Sequence, residues 1–194
     1  KITPEQLQAA ITPKTKMIWY SSPCNPSGSV FNREDLTALS KVILAQEQTI
    51  YVVSDEIYEH INFSGTFCSI ASIPGMFDRT ITVNGVAKAF AMTGWRIGYI
   101  GAPEFIAKAC TKMQGQVTSG ANSIAQRATI AAVEADPSVL NEMVSAFKNR
   151  RDLVVKLIQD IPGLKLNVPE GAFYVFPDVS SYFGKTLNGT EIKD

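Results

Sequence analysis

Short runs of consecutive apolar residues alternate along this chain with longer stretches in which apolar residues return every three or four positions. Met17-Ile18-Trp19-Tyr20, Ile50-Tyr51-Val52-Val53 and Thr80-Ile81-Thr82-Val83 are runs of the first kind and predict buried strands. Trp95 to Ile100 predicts a fourth. Between the first two runs, Leu36, Leu39, Val42 and Ile43 share one helical face over Arg33 to Ala45. Thr3-Pro4-Glu5 reads as an N-cap, a proline at the first helical position and an acidic first turn, which predicts a short helix ending near Ala10. Strands separated by helices in this way predict an α/β fold with a mostly parallel sheet sandwiched by helices.

From Pro103 onwards the pattern is helical. One helix is predicted to about Gln116, a break follows over Thr118-Ser119-Gly120-Ala121-Asn122, and a second helix runs to Ala135. Asp136-Pro137 supplies a new N-cap and N1 proline, after which Leu140, Met143, Phe147, Val154 and Ile158 keep helical spacing as far as Pro162-Gly163. A helix of that length suits a bridge between domains. Lys165 to Val168 and Ala172 to Phe176 read as two strands of a second unit. The predicted division is a partial large domain over 1–136, an interdomain helix over 137–160 and the start of an α+β small domain over 161–194. The chain begins without methionine and stops soon after the second unit opens, so a fragment of a longer protein is expected.

Composition narrows the partners. Lys plus Arg and Asp plus Glu both number 18 in 194 residues, and zero net charge offers no electrostatic footprint for nucleic acid or an acidic membrane surface. Cys24, Cys68, Cys110 and the single His60 lack metal-ligand spacing, so neither a disulfide framework nor a metal site is expected. No apolar run is long enough to span a bilayer, and the first residues lack the order of a signal peptide. The expectation is a cytoplasmic protein acting on small molecules, with no nucleic-acid or membrane partner.

Polar signals follow the carboxyl ends of successive predicted strands: Asn25 after the first, Asp55 and Tyr58 after the second, Lys88 after the third. Ligands bind at that edge in open α/β sheets. Arg96 lies close enough beyond Lys88 to fold back over the same crevice. An aldehyde cofactor with a pyridine ring and a phosphate needs such a set: lysine for an imine, aspartate for the ring nitrogen, tyrosine and asparagine for the ring oxygen, arginine for the phosphate. Taken singly, each residue also has a structural reading. Asp55 could cap a turn, Tyr58 could be half-buried core, Asn25 could be turn chemistry and Arg96 could pair with a surface carboxylate. His60 reads as structural or exposed, and Trp19 and Trp95 as core.

Three segments carry a family resemblance: Ser22-Pro23-Cys24-Asn25-Pro26-Ser27-Gly28, Ser54-Asp55-Glu56-Ile57-Tyr58 and the run from Lys88 through Thr93-Gly94-Trp95-Arg96-Ile97-Gly98 to Tyr99. They resemble the signatures of class I/II aminotransferases, pyridoxal-phosphate-dependent transferases of fold type I, and Gly171-Ala172-Phe173-Tyr174-Val175-Phe176-Pro177 resembles the opening of that family's small domain. Motif order and spacing agree along essentially the whole chain. Within the family, the lysine segment looks most like bacterial aspartate aminotransferases.

The resemblance implies that Lys88 holds pyridoxal 5'-phosphate as a Schiff base and moves the substrate α-proton, with Asp55 on the pyridine nitrogen, Tyr58 and Asn25 on the phenolic oxygen and Arg96 on the phosphate. It implies transamination from an L-amino acid, aspartate foremost, to a 2-oxo acid, 2-oxoglutarate, in a homodimer when full length. Two departures stand out. Many relatives carry serine one and three positions before the lysine, where this chain has Ala87 and Gly85. The family's glycine-rich phosphate loop, ring-stacking aromatic residue and substrate-carboxylate contacts would fall before Lys1 or after Asp194, so the chain alone is expected to be inactive. Rival expectations are an aromatic or alanine aminotransferase, a C–S β-lyase on the same scaffold, and a non-catalytic cofactor-binding sensor domain of a transcriptional regulator.

Overall fold

Side chains at the start of each early helix fix where it begins. Thr3 and Gln6 cap reciprocally: Thr3 Oγ1 accepts from the Gln6 N–H at 3.2 Å, Gln6 Oε1 accepts from the Thr3 N–H at 2.9 Å, and Pro4 takes the first helical position. Asn32 and Asp35 repeat the device at 2.8 and 3.1 Å. The helices that follow are α1 (Pro4–Ala10) and α2 (Arg33–Leu44). The computed structural model describes residues 1–193.

Strands β1 (Met17–Ser21), β2 (Tyr51–Asp55) and β3 (Thr80–Asn84) lie parallel in chain order, and β4 (Tyr99–Gly101) joins β3 antiparallel. The register pairs Ser21 with Asp55 and Asp55 with Val83, so all three parallel strands end on one edge. The fourth strand is shorter than predicted. Thr93–Trp95 forms a 3-10 turn and Arg96 turns left-handed at φ 53°, so the chain cannot ladder on β3 before Tyr99.

Strand alternation then sorts side chains between the faces. Ile18, Tyr20 and Val52 join Leu36, Ile43, Ile70 and Met76 in the main cluster between sheet and α2, where a fully buried side chain such as Leu36 contributes about 1.5–3 kcal/mol. On the opposite face, Phe105 reaches Tyr51 edge-on at 5.9 Å, while Trp19 remains 73% exposed. Trp19 and Trp95, predicted as core, are thus surface residues here. Alternation turns Trp19 away from α2, and the turn at Arg96 keeps Trp95 off the sheet.

Helices α3 (Glu104–Val117) and α4 (Ser123–Val133) flank the predicted break. Pro137–Leu140 forms a tighter 3-10 turn, with Asp136 Oδ1 accepting from the Ser138 N–H at 2.8 Å, before α5 (Asn141–Gln159) begins. No described helix is long and apolar enough to cross a membrane. Among the described residues the stretches 165–168 and 172–176, predicted as strands, form no strand, and the isolated bridges here are Lys165 to Asp178 and Gly171 to Asn62. Their backbone is committed elsewhere. Glu170 and Gly171 donate their N–H groups to the Gly28 carbonyl at 2.8 and 3.0 Å, and Ala172 donates to Ile61 at 2.7 Å. The described hairpin of this region is instead β5 (Thr186–Leu187) with β6 (Thr190–Glu191).

Candidate active site

Asp55 is the last residue of β2, and its Oδ1 accepts from the Ile57 N–H at 3.2 Å. That bond starts a tight turn, continued by Glu59 N–H to Glu56 and Ile61 N–H to Tyr58, which carries Tyr58 into the interior at 3% exposure. There its ring meets Phe173 edge-on at 5.2 Å, and its hydroxyl lies 2.7 Å from that of Tyr174. Burial pushes the Tyr58 phenol well above its ordinary pKa, and the Tyr174 hydrogen bond and the nearby charges of Tyr174 and Asp55 push in the same direction. The Tyr58 phenol is therefore held in its protonated form, and either hydroxyl of the pair can be the donor.

Lys88 sits on the turn that leaves β3, where Phe90 donates to the Val86 carbonyl at 3.2 Å and Ala91 to the Lys88 carbonyl at 3.3 Å. Its Nζ lies 5.7 Å from the ring centres of both Tyr58 and Phe173, within the range of cation–π attraction. The amine is half-buried against aromatic faces. Lys88 and Tyr58 are thus brought together on the edge where Asp55 ends its strand.

Asn25 and Arg96 are placed differently. Asn25 is exposed in a loop whose Ser22-Pro23 and Asn25-Pro26 peptide bonds are both cis, held by Gly28 N–H to Cys24, Cys24 N–H to Ser29 and the Phe31 N–H to Ser22 Oγ. Arg96 is also exposed. Its Nη1 donates to the Thr93 carbonyl at 2.9 Å, and it lines a wide depression of about 1460 Å³ with Tyr99, Thr111 and Asn122.

Several neighbours went unread in the sequence. Phe173 floors the Lys88 side chain from 85 positions away and Tyr174 bonds the Tyr58 hydroxyl beside it, both signalled only by their aromatic motif. Beside Asp55, Glu56 is buried and accepts from Ser54 Oγ at 2.8 Å and Ser69 Oγ at 2.6 Å, while Ser54 also bonds the Tyr20 hydroxyl at 2.9 Å. Glu59 and Asn84 pair at 2.7 Å. In the sequence these are ordinary polar residues.

The amine, carboxylate and phenol are grouped on one sheet edge, residue types that suit carbonyl chemistry. The chain is 46% identical to the bifunctional aspartate aminotransferase and glutamate/aspartate-prephenate aminotransferase of Petunia hybrida, over 97% of this chain and 40% of that protein. It is also 46% identical to the aspartate/prephenate aminotransferase of Cereibacter sphaeroides, over 100% of this chain and 49% of that one. The crystal structure of an aspartate aminotransferase from Rhizobium meliloti superposes with a TM-score of 0.93 at 43% identity, covering 100% of this chain and 49% of that chain. The chain therefore spans about half, or less, of the length of these relatives. The family model for aminotransferase class I and II matches residues 1–191, and this chain belongs to that family.

Proposed function

We propose that the full-length protein carrying this chain transfers an amino group between L-aspartate and 2-oxoglutarate, using pyridoxal 5'-phosphate. One observation supports this above the rest: the Lys88 amine lies against Tyr58 and Phe173 on the edge where Asp55 ends β2. The donor set fits the cofactor. A primary amine, a carboxylate and a protonated phenol are grouped, and among the described residues no hydrogen bond engages Asp55 Oδ2. When bound, the cofactor supplies a carbonyl for attachment and an electron-withdrawing ring that stabilises a carbanion at the substrate α-carbon.

Lys88 would hold the cofactor covalently and, once released by substrate, carry the proton removed from the α-carbon. Asp55 would keep a proton on the ring nitrogen, a charge pair that strengthens the ring's withdrawal of electrons. Tyr58 and Asn25 would hydrogen-bond the ring oxygen, and Arg96 would take the phosphate through a forked contact that lysine cannot reproduce. The aromatic floor of Tyr58 and Phe173 keeps water from one side of the amine.

A second reading follows from the names of the Petunia and Cereibacter relatives, which include prephenate. In that reading prephenate is an amino acceptor at the same site. We also propose a division into a partial large domain over 1–136, an interdomain helix over 137–160 and the start of a small domain over 161–194, in a cytoplasmic homodimer. Borohydride reduction of the full-length holoenzyme should leave a pyridoxyl group on the peptide containing Lys88, and label on another peptide refutes the assignment. Donor and acceptor assays then separate 2-oxoglutarate from prephenate.

A further inference from the structure

Four consecutive residues after β2 meet the lysine segment at four separate places. Ile57 packs on Gly85, where a Cβ would come within 3.3 Å of Ile57 Cδ1. The Tyr58 ring lies under the Lys88 amine at 5.7 Å. Glu59 Oε1 accepts from Asn84 Nδ2 at 2.7 Å, and the His60 ring meets Phe90 edge-on at 6.1 Å. The segment that leaves Asp55 is thus a rail for the segment that carries Lys88.

The polar pin of this rail is the Glu59–Asn84 pair. Asn84 is 8% exposed and is the last residue of β3, so its amide must be satisfied locally. Both ends of the amide are used. Its Oδ1 accepts from the Gly85 N–H at 2.7 Å, and its Nδ2 donates to the Glu59 carboxylate, which also lies 3.4 Å from His60 Nε2. A hydrogen bond to an ionised acceptor is stronger and more directional than a neutral one. Here it fixes the point at which β3 ends and the turn of Val86 to Ala91 begins, and that point sets the origin of a long side chain on a four-carbon stem. A small displacement of that origin moves the amine off its aromatic floor.

Resting on the reading of Lys88 as cofactor anchor, we propose that Glu59 and Asn84 are positioning residues that hold Lys88 in its reactive placement through the Asn84 amide. Neither touches a substrate or the reacting atoms. Their effect travels through the backbone of Gly85 and the turn that follows.

The test uses the full-length protein freed of cofactor. Pyridoxal phosphate is added, bound cofactor is fixed with borohydride at timed intervals, and the labelled peptide is quantified by mass spectrometry. Asn84→Asp keeps the acceptor for Gly85 but sets two carboxylates against each other, and should slow fixation on Lys88 about ten-fold or more. Glu59→Gln retains an oxygen that accepts from Asn84 and should stay within about two-fold of the parent. The double variant Glu59→Gln/Asn84→Asp reverses donor and acceptor, and should recover most of the rate lost in Asn84→Asp. Equal rates in all four proteins, or a double variant no faster than Asn84→Asp, would overturn the positioning role while leaving Lys88 as the anchor. Label on a different residue of the parent would overturn the anchor assignment and this inference with it.

Discussion

The hydroxyls of Tyr58 and Tyr174 lie 2.7 Å apart although 116 positions separate them in the chain. The pair ties the turn after β2 to the segment that follows α5, inside an aromatic group in which Phe173 meets Tyr58 edge-on and stacks on Phe147 at 5.2 Å. Two hydroxyls removed together leave no orphan, whereas one removed alone does. A double-mutant cycle of Tyr58→Phe and Tyr174→Phe, read by urea unfolding of the full-length protein, should give a coupling energy of about 1 kcal/mol. Strictly additive losses would mean the pair is a bystander.

Glu56 gives the site's neighbourhood a pH dependence. Burial raises its pKa above the ordinary 4.5, the hydrogen bonds from Ser69 and Ser54 oppose the rise, and the charges of Glu59 and Asp55 add to it. A carboxyl raised on folding favours its protonated form, so its contribution is complete below the ordinary value and is lost as pH rises through the raised one. Glu56→Gln keeps a neutral, hydrogen-bonding side chain at all pH. Relative to the parent, the variant should gain stability as pH rises above 4.5 and then level off, measured by urea titrations at a series of pH values. A difference that stays flat with pH would contradict the account.

What the sequence could and could not disclose follows from the same residues. The short apolar runs placed β1 to β3 to within a residue or two because each is bounded by turn formers and pairs with its neighbours in the simplest parallel order. The capping signal at Thr3 is local, and the start of α1 was legible for that reason, whereas α2 was legible through its apolar face. The backbone at Arg96 was less legible, because its direction is set by a left-handed residue after a 3-10 turn, which no periodicity encodes. Phe173 reaches the lysine, and Tyr174 reaches Tyr58, only because residues 170–172 hydrogen-bond to Gly28 and Ile61, a tertiary choice no periodicity encodes. Glu59 and Asn84 look like surface polar residues until the register of β3 turns the Asn84 amide inward.

Gly28 is where the Asn25 loop and the later segment are pressed together. Its φ is +68°, a Cβ there would lie 2.4 Å from Pro169 Cβ, and its carbonyl accepts from both Glu170 and Gly171. Gly28→Ala meets a strained conformation and a collision at once. It should destabilise the protein by about 2–4 kcal/mol and, by shifting Asn25, weaken cofactor retention during gel filtration. Unchanged stability would show that the loop yields more easily than its packing indicates.

Gly85 is walled in by backbone on the approach to Lys88. A Cβ at this position would come within 2.9 Å of the Ile97 carbonyl oxygen and 3.1 Å of Gly98 Cα, both backbone atoms, with Ile57 Cδ1 at 3.3 Å on the other side. Backbone cannot step aside as a side-chain tip can, because Gly98 leads directly into β4 and its pairing with β3. Gly85→Ser, which adds a hydroxyl that could reach a phosphate, should therefore destabilise this protein by about 1–3 kcal/mol rather than strengthen its hold on phosphate. Gly85→Ala separates the two effects, since it adds the Cβ without the hydroxyl. Equal losses in the two variants, measured by urea unfolding and by dissociation of the cofactor, assign the cost to the collision with Ile97. A serine variant that is more stable and holds cofactor more tightly than the parent would show that β4 shifts to make room.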